Sequence, residues 1–230
     1  MSTFRSLLAW SSGKDSAWAL QVLRARGGVE IVGLLTTVIE GSGRVTMHHV
    51  PESVLDAQAA ALGLPVWKVR LPDPCPNEVY ERRMKDAMDR AVREGISSMV
   101  FGDLYLEDIR QYREARLKGT GITPIFPLWG LDTAELARDM VRAGLRARVV
   151  SIDTTRLDAT FLGREFDEAF LDDLPPHVDP CGEAGEFHTV VYAGPMFDRV
   201  LPLSMGDAYR NEPFLYANVT LASDVPVEET

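Results

Sequence analysis

Residues 11–16, with the sequence SSGKDS, are the part of this chain best suited to chemistry. They follow an apolar segment at 7–10 and precede a helical pattern, so they form the turn between a strand and a helix. Small residues let backbone N–H groups close around an anion, and the following helix N-terminus adds a partial positive charge. Lys14 adds a cation for phosphate oxygens, and Asp15 adds a carboxylate that can hold Mg²⁺. The turn predicts a phosphate site, although a Ser-Gly turn that only caps the helix would have a similar sequence.

Gly102 and Asp103 form a second candidate site, directly after the apolar strand pattern at 98–101. A glycine followed by a carboxylate at a strand end suits the close approach of a ligand and a contact with a metal ion or a hydroxyl group. The alternative is structural, because Asp103 would equally serve as the N-cap of the next helix.

A third candidate is the segment 179–189, with the sequence DPCGEAGEFHT. It contains two glycines and two glutamates, Glu183 and Glu186, and His188 lies two residues after the second glutamate. If a strand begins at 187, Glu186 and His188 point to the same face, because side chains alternate along a strand. Such a pair could activate a nucleophile or bind an ammonium group or a metal. The alternative is a tight glycine turn whose acids only face water.

Two weaker signals are a histidine pair and two isolated cysteines. His48 and His49 follow a glycine-rich loop, which fits either a mobile flap or an ordinary surface pair. Cys75 lies between prolines and is expected to be inert. Cys181 lies inside the third candidate segment, so a reactive thiol there is an alternative, although the less favoured one.

The elements that must position these residues alternate between short apolar strands and helices. Strand patterns occur at 6–10, 30–37, 66–70, 98–101, 123–126 and 146–152, with helical patterns between them at 16–26, 51–62, 77–94, 106–119 and 132–143. This alternation predicts an α/β fold, with a parallel sheet that has helices on both faces. Ligands of such sheets bind beyond the carboxyl ends of the strands. The turn at 11–16, Thr36, Thr37, Gly102, Asp103 and residues 127–129 all fall at those ends.

The pattern changes after about residue 154. A short helical pattern at 157–173 is followed by β-like runs at 187–192, 200–203 and 214–221. We expect a smaller β-rich domain that closes over the sheet edge, with the chain divided into 1–153 and 154–230.

Composition limits the class of protein. A net charge of −10 argues against a broad nucleic-acid footprint. The sequence contains no apolar run of membrane-spanning length, and the first strand follows the N-terminal residues too closely for a signal peptide. With two cysteines far apart and without metal-ligand spacing, we expect a cytoplasmic protein with reduced thiols. A homodimer is compatible with these features.

Taken together, the motifs resemble the diphthine–ammonia ligase (diphthamide synthase) family of N-type ATP pyrophosphatases. The resemblance spans about residues 5–200 and rests on 11–16, on Met47 and His48, on 101–104 continuing through 113–129, and on 182–189. The chain departs from the family pattern at Ser12, where glycine is common, and at Ala184, where asparagine or glycine is common. The excess of arginine over lysine indicates a bacterial member, in which the acceptor would be a carboxylate other than diphthine.

The resemblance implies a HUP-type, Rossmann-like ATP-binding domain and a family-specific C-terminal domain. It implies that a carboxylate attacks the α-phosphate of ATP, that pyrophosphate leaves, and that ammonia displaces AMP, with Mg²⁺ on the phosphates. The expected nucleotide-binding residues are Trp10, Ser11, Ser12, Gly13, Lys14, Asp15, Ser16, Thr36, Thr37 and Gly102. The expected catalytic residues are Lys14, Asp103, Glu183, Glu186 and His188, and the expected metal ligands are Asp15 and Asp103.

The partners expected on this basis are ATP, ammonium and an unidentified carboxylate acceptor, either a small molecule or a group on a protein. Two alternatives remain open at this point. One is another ATP pyrophosphatase of the same fold, such as a tRNA-modifying enzyme, and the other is an ATP-binding regulator without turnover.

Overall fold

Short apolar strands build the first sheet, and their successive side chains are buried on opposite faces. Leu7 and Leu8 are both fully buried, but each belongs to a different apolar cluster, one on either side of the sheet. The computed structural model describes residues 4–222. The strands of this sheet are β1 (Phe4–Ala9), β2 (Val29–Ile39), β3 (Arg44–Val45), β4 (Val66–Leu71), β5 (Ser98–Val100) and β6 (Thr123–Ile125).

The strand order of this sheet is β3-β2-β1-β5-β6, with β4 paired along the opposite side of β2. All pairings are parallel except that of β3, which runs antiparallel to the end of β2. β2 pairs with one side of β1, and β5, which comes later in the chain, pairs with the other side of β1. The carboxyl end of β1 is therefore the switch point at which sheets of this kind bind ligands.

Helices cover both faces of this sheet, as the alternating pattern predicts. They are α1 (Lys14–Arg26), α2 (Glu52–Leu62), α3 (Asn77–Arg93), α4 (Glu107–Leu117) and α5 (Thr133–Arg142). Buried residues of α1, α2 and α5 belong to one apolar cluster, and those of α3 and α4 belong to the cluster on the other face. No helix within residues 4–222 has both the length and the apolar character needed to cross a membrane.

A second, antiparallel sheet follows in the order β8-β7-β10-β9. Its strands are β7 (Arg146–Asp153), β8 (Phe187–Ala193), β9 (Leu203–Asn211) and β10 (Phe214–Leu221), with a short 3₁₀ helix (Ala159–Phe161) and α6 (Glu168–Asp173) between β7 and β8. Residues of β7, β8 and β10 share the apolar cluster that contains α1 and α2. The smaller β-rich C-terminal part is thus confirmed, and it packs on the first sheet's helices.

Two assignments differ from the sequence expectation. The strand at 146–152 is wrong as a member of the parallel sheet, because β7 pairs antiparallel with β8 and β10. A helix followed by an apolar strand resembles one more parallel unit, and only the long-range partners decide otherwise. The strand expected at 200–203 begins at Leu203 and continues to Asn211 as a largely exposed strand at the end of the sheet order. The division of the chain at residue 153 stays a prediction, and its last residues, 223–230, lie outside the described part.

Candidate active site

A crevice of about 570 Å³ lies at the carboxyl edge of the first sheet. It brings together four separate segments: the turn after β1, the end of β5, the segment after β3 and the turn before β8. The expected site residues that line it are Trp10, Ser11, Lys14, Asp15, Ser16, Thr37, Gly102, Asp103, Glu183 and His188. Those that do not line it are Ser12, Gly13, Thr36 and Glu186.

The turn after β1 is held from below by the second sheet and by α2. The carbonyl oxygen of Ser12 accepts hydrogen bonds from the backbone N–H of Val191 at 2.9 Å and from the side-chain amide of Gln58 at 3.1 Å. Ser12 adopts a positive φ of 73°, and its buried hydroxyl has no hydrogen-bond partner. That conformation favours glycine, which explains physically why a glycine is common at this position in the family the sequence resembles.

Lys14 is a buried cation rather than an exposed one. Only 2% of its side chain is accessible. Its ammonium group donates to the carbonyl oxygen of Cys181 and, at 3.0 Å, to Oδ2 of Asp15. Burial is the largest single influence and acts to lower the pKa of Lys14, but the attractions of Asp15, Cys181 and Glu183 together outweigh it. The pKa is therefore raised and the side chain stays charged.

Asp15, Asp103 and Glu183 form an acidic group along the crevice. Burial raises the pKa of Asp15 in spite of its bond to Lys14, and its Oδ1 atom is buried without a partner. Burial together with the charges of Asp15 and Asp103 raises the pKa of Glu183 to about 7. The repulsion among these carboxylates decreases when a cation binds between them.

This donor set suits Mg²⁺ rather than a metal held by protein alone. Within residues 4–222 there is no cluster of three His, Cys, Asp or Glu side chains arranged to hold a metal ion. Mg²⁺ in nucleotide sites typically takes one or two carboxylates, with phosphate oxygens and water completing the shell. Oδ1 of Asp15, which has no hydrogen-bond partner, fits the role of a carboxylate ligand.

Asp103 is held by an arginine of the following helix. Nη2 of Arg113 in α4 donates a hydrogen bond to Oδ1 of this carboxylate at 2.9 Å, and Nε of Arg113 lies 2.7 Å from Oδ2 as an ion pair. The N-cap alternative for Asp103 is wrong, since the residue before α4 is Leu106 and it has no side-chain cap. Gly102 beside it is needed for close packing, because a Cβ there would lie 3.0 Å from the backbone carbonyl carbon of Asp15.

The turn before β8 is organised by Asp179. Its Oδ1 accepts from the backbone N–H groups of Cys181 at 2.9 Å and Glu183 at 3.2 Å, while its Oδ2 accepts from the hydroxyl of Thr133 at 2.7 Å. Gly182 has a φ of 68°, and a Cβ there would lie 2.7 Å from the carbonyl oxygen of Phe187. The turn thereby aims Glu183 across the crevice, where Oε1 accepts from the N–H of Leu104 at 2.8 Å.

His48 and His188 face each other on the opposite wall, with ring centroids 4.7 Å apart. Nδ1 of His48 lies 2.8 Å from the carbonyl oxygen of Thr189, so this nitrogen carries the proton, while Nε2 of His188 is buried without a partner. Burial, and to a smaller extent Lys14, lowers the pKa of His48 to about 4. Burial and the neighbouring His48 and Lys14 also lower the pKa of His188. Both rings are therefore neutral at pH 7.

The segment after β3 closes tightly over the turn at 11–16. A Cβ on Gly13 would lie 2.6 Å from Cε1 of His48, so only glycine lets the imidazole rest there. The backbone N–H of Lys14, an expected anion donor, already donates to the hydroxyl of Thr189 at 3.1 Å. His49 points the other way and stacks on Tyr216 with a centroid separation of 4.1 Å.

Four expected site residues lie behind the crevice wall or turn a side chain away from it. Glu186 is 4% exposed, and its Oε1 accepts from the N–H of Asp179 at 3.3 Å. The hydroxyl of Thr36 donates to the carbonyl of Trp10 at 2.9 Å. The indole N–H of Trp10 donates to Gln58 at 2.9 Å. Trp10 lines the crevice, but its indole N–H is already occupied by this bond. Ser12 is also buried, as described above.

Sequence reasoning missed several residues that shape the site. Asp179 stood inside the motif, and an aspartate two residues before the first N–H of a turn is a recognisable Asx signal. Gln58 and Thr189 left no such signal, because each acts on a segment far away in the chain. The thiol of Cys181 donates to the carbonyl oxygen of Thr133 and burial raises its pKa, so it is not a reactive thiolate.

Comparison with known proteins agrees with this arrangement of two parts. Residues 4–123 match the family model described as the diphthamide synthase N-terminal domain, and residues 132–222 match that of the diphthamide synthase C-terminal domain.

Among curated proteins, the diphthine–ammonia ligase of Schizosaccharomyces pombe is 30% identical over 213 residues, which cover 84% of this chain and 35% of that protein. The human diphthine–ammonia ligase is 25% identical over 211 residues, covering 82% of this chain and 79% of that protein. A 54 kDa signal recognition particle protein of Methanosarcina barkeri is 35% identical over 138 residues, covering 56% of this chain and 30% of that protein. The two family models are the N- and C-terminal domains of diphthamide synthase, and together they match most of the described residues. The chain therefore belongs to the diphthamide synthase family.

Proposed function

We propose that this protein is an ATP-dependent ligase that activates a carboxylate as its adenylate and transfers the acyl group to ammonia. One observation carries the proposal: the turn at 11–16, the acidic group of Asp15, Asp103 and Glu183, and the paired rings of His48 and His188 all border one crevice. A carboxylate resists ammonia because oxide is a poor leaving group. Activation by ATP replaces that leaving group with AMP, and pyrophosphate is released.

The phosphates of ATP bind in this proposal against the turn at 11–16. Ser11, Lys14 and Ser16 line the crevice at the N-terminus of α1, where the helix favours negative charge. Lys14 stabilises charge that develops on the departing pyrophosphate, since it is fixed in place before the reaction begins. Asp15 and Asp103 hold Mg²⁺, which neutralises phosphate oxygens when it is bound. The adenosine lies nearby over the strand ends at Trp10 and Thr37.

Glu183 is the best candidate to take the proton of the attacking nitrogen. Its pKa of about 7 matches the operating pH, which is the condition for an efficient general base. His48 and His188 are too weakly basic for that task, but neutral imidazole nitrogens accept hydrogen bonds from an ammonium ion. We assign Glu186 the role of holding Asp179, and hence the turn that carries Glu183. The two free cysteines fit a reducing compartment, so we place the reaction in the cytoplasm.

Product analysis tests the proposal. Protein is incubated with α-labelled ATP, Mg²⁺, ammonium and a set of carboxylic acids, and AMP, ADP, pyrophosphate and orthophosphate are separated. We expect AMP and pyrophosphate in equal amounts, dependent on the acid. Formation of ADP and orthophosphate, or ATP binding without cleavage under any acid, would contradict it.

Arg142→Ala serves as the matched control, because Arg142 is an exposed residue at the end of α5 that forms surface ion pairs with Asp139 and Glu168. It is expected to cleave ATP at the wild-type rate. A protein preparation in which this variant and wild type differ would point to a preparation artefact rather than to the site.

A further inference from the structure

A second cavity, of about 530 Å³, lies between α3 and α4 on the face of the first sheet away from the second sheet. Its walls are largely apolar. The apolar side chains that line it are Met84, Met88, Met99, Phe101 and Leu117. Such a lining favours the burial of an apolar group.

This cavity adjoins the candidate active site. The residues that border both spaces are Tyr80, Met84, Met99, Phe101 and Arg113. Phe101 directly follows β5 and precedes Gly102, and Arg113 holds Asp103. A ligand lying in the cavity would therefore meet the crevice at the point where the acidic group begins.

The charges around the cavity are largely paired with one another. Arg116 contacts Glu81, and Lys85 lies 2.5 Å from Asp89. Arg113 is occupied by Asp103 and lies 4.5 Å from the ring centroid of Phe101. The aromatic surface is thus already in contact with a cation, and a second cation there would be repelled.

We propose that this cavity binds the uncharged apolar body of the acceptor acid, with the carboxylate of that acid directed toward the crevice. The proposal rests on the ligase function proposed above and names the class of its acceptor: a carboxylic acid with an apolar aliphatic or aromatic body and no cationic group.

A pair of acids of equal shape tests the class of acceptor. The probes are 4-(4-tert-butylphenyl)butanoate and 4-[4-(trimethylammonio)phenyl]butanoate, which differ only by a carbon or a positively charged nitrogen. Binding is measured by calorimetry with saturating Mg²⁺ and α,β-methylene-ATP, which cannot be cleaved between the α- and β-phosphates. We expect the tert-butyl acid to bind at least about tenfold more tightly. Equal affinity, tighter binding of the trimethylammonio acid, or no binding of either acid would overturn the proposal.

Two tyrosines with equal exposure provide a matched pair of variants. Tyr112 and Tyr105 are both 42% exposed, but only Tyr112 borders the cavity. Tyr112→Ala should weaken the binding of the tert-butyl acid by about tenfold, whereas Tyr105→Ala should leave it unchanged. Met88→Trp, which fills the cavity from its inner wall, should abolish binding. If Met88→Trp does not fold, the tyrosine pair still decides, and equal effects of the two tyrosine variants would refute the placement.

The nucleotide gives the remaining control. Affinity for α,β-methylene-ATP should be the same in wild type and in Tyr112→Ala. A parallel loss of nucleotide and acid affinity would place the adenine in the cavity and overturn the proposal. Because these measurements need no turnover, the failure of ATP cleavage alone would count against the proposed function and leave the binding result independent.

Discussion

The ammonium group of Lys14 donates a hydrogen bond to the carbonyl oxygen of Cys181, a residue 167 positions later in the chain. The same ammonium group contacts Asp15 and lies 5.3 Å from the ring centroid of Phe187. The first helix and the turn before β8 are thus joined by one buried charge. Lys14 has to be treated as a structural residue of the site as well as a proposed phosphate ligand.

The variant Lys14→Met should therefore lose both stability and nucleotide binding. It leaves the Asp15 carboxylate without its partner, which we expect to cost about 3 kcal/mol of unfolding free energy. Adding Asp15→Asn removes the second charge and should restore most of that loss in urea denaturation. Pyrophosphate release should stay lower by roughly 10²–10³-fold in the double variant, because the charge facing the phosphates is gone. Wild-type turnover by a folded double variant would rule out the phosphate role of Lys14.

Ser12→Gly should stabilise the protein. Glycine adopts the positive φ of 73° without strain, and the variant removes a buried hydroxyl that has no partner. Against the greater flexibility of glycine in the unfolded chain, we expect a net gain of about 1 kcal/mol. Ser11→Gly, in the same turn but at a position that has no positive φ, should give no gain. An equal gain from both variants would show that strain at Ser12 is not the cause.

Gly13→Ala should displace His48. The φ of Gly13 is −95°, which alanine tolerates, so the effect comes from the 2.6 Å approach of the new Cβ to Cε1 of His48. We expect a loss of about 1–3 kcal/mol, the usual cost of overpacking. In the double variant Gly13→Ala with His48→Ala the ring is absent, and stability should return to that of His48→Ala alone. A loss that persists without the ring would place the strain elsewhere in the turn.

The raised pKa of Glu183 predicts a specific pH dependence. The folded protein holds this proton up to about pH 7, whereas the unfolded chain releases it near the ordinary value of 4.5. The contribution of Glu183 to stability is thus fully present below the ordinary pKa and declines as pH rises toward 7. The unfolding free energy of wild type minus that of Glu183→Gln should fall between about pH 4.5 and pH 7. Added Mg²⁺ should reduce this fall, and a pH-independent difference would contradict the raised pKa.

Glu186→Gln should separate binding from turnover. Glu186 does not line the crevice, so the dissociation constant of ATP should stay within about a factor of three of wild type. Its bond to Asp179 positions the turn that carries Glu183, so turnover should fall by roughly 10²-fold. Calorimetry and pyrophosphate release measure the two effects. A loss of ATP affinity as large as that in Lys14→Met would mean that Glu186 acts on the nucleotide.

The fold was predictable where local patterns decide it. Short apolar runs, such as the one that contains Leu7 and Leu8, alternate regularly with helical patterns. This alternation is enough to predict the parallel strands of the first sheet. It is not enough for β7, which has the same local pattern as a parallel strand but finds its partners in β8 and β10. The end strand β9 has few buried side chains and a polar sequence, so hydrophobic alternation does not reveal it.

The site was predictable in its residue types but not in its internal contacts. The turn at 11–16 and the acids at 103 and 183 are recognisable from residue chemistry at strand ends. The burial of Lys14 and the neutral state of His48 depend on which distant segment covers them. No local pattern carries that information, because Cys181 and Thr189 are brought to the turn only by the packing of the second sheet.

The contacts of Lys14 with Cys181 and Thr189 also set the order in which the protein can become functional during its synthesis. The turn at 11–16 leaves the ribosome early, while its partners are among the later residues to emerge. A nascent chain that ends before β8 can form the first sheet, but it holds the Lys14 and Asp15 charges without the wall that buries them. ATP binding should therefore appear late and abruptly, as chain length passes the point at which Thr189 is released.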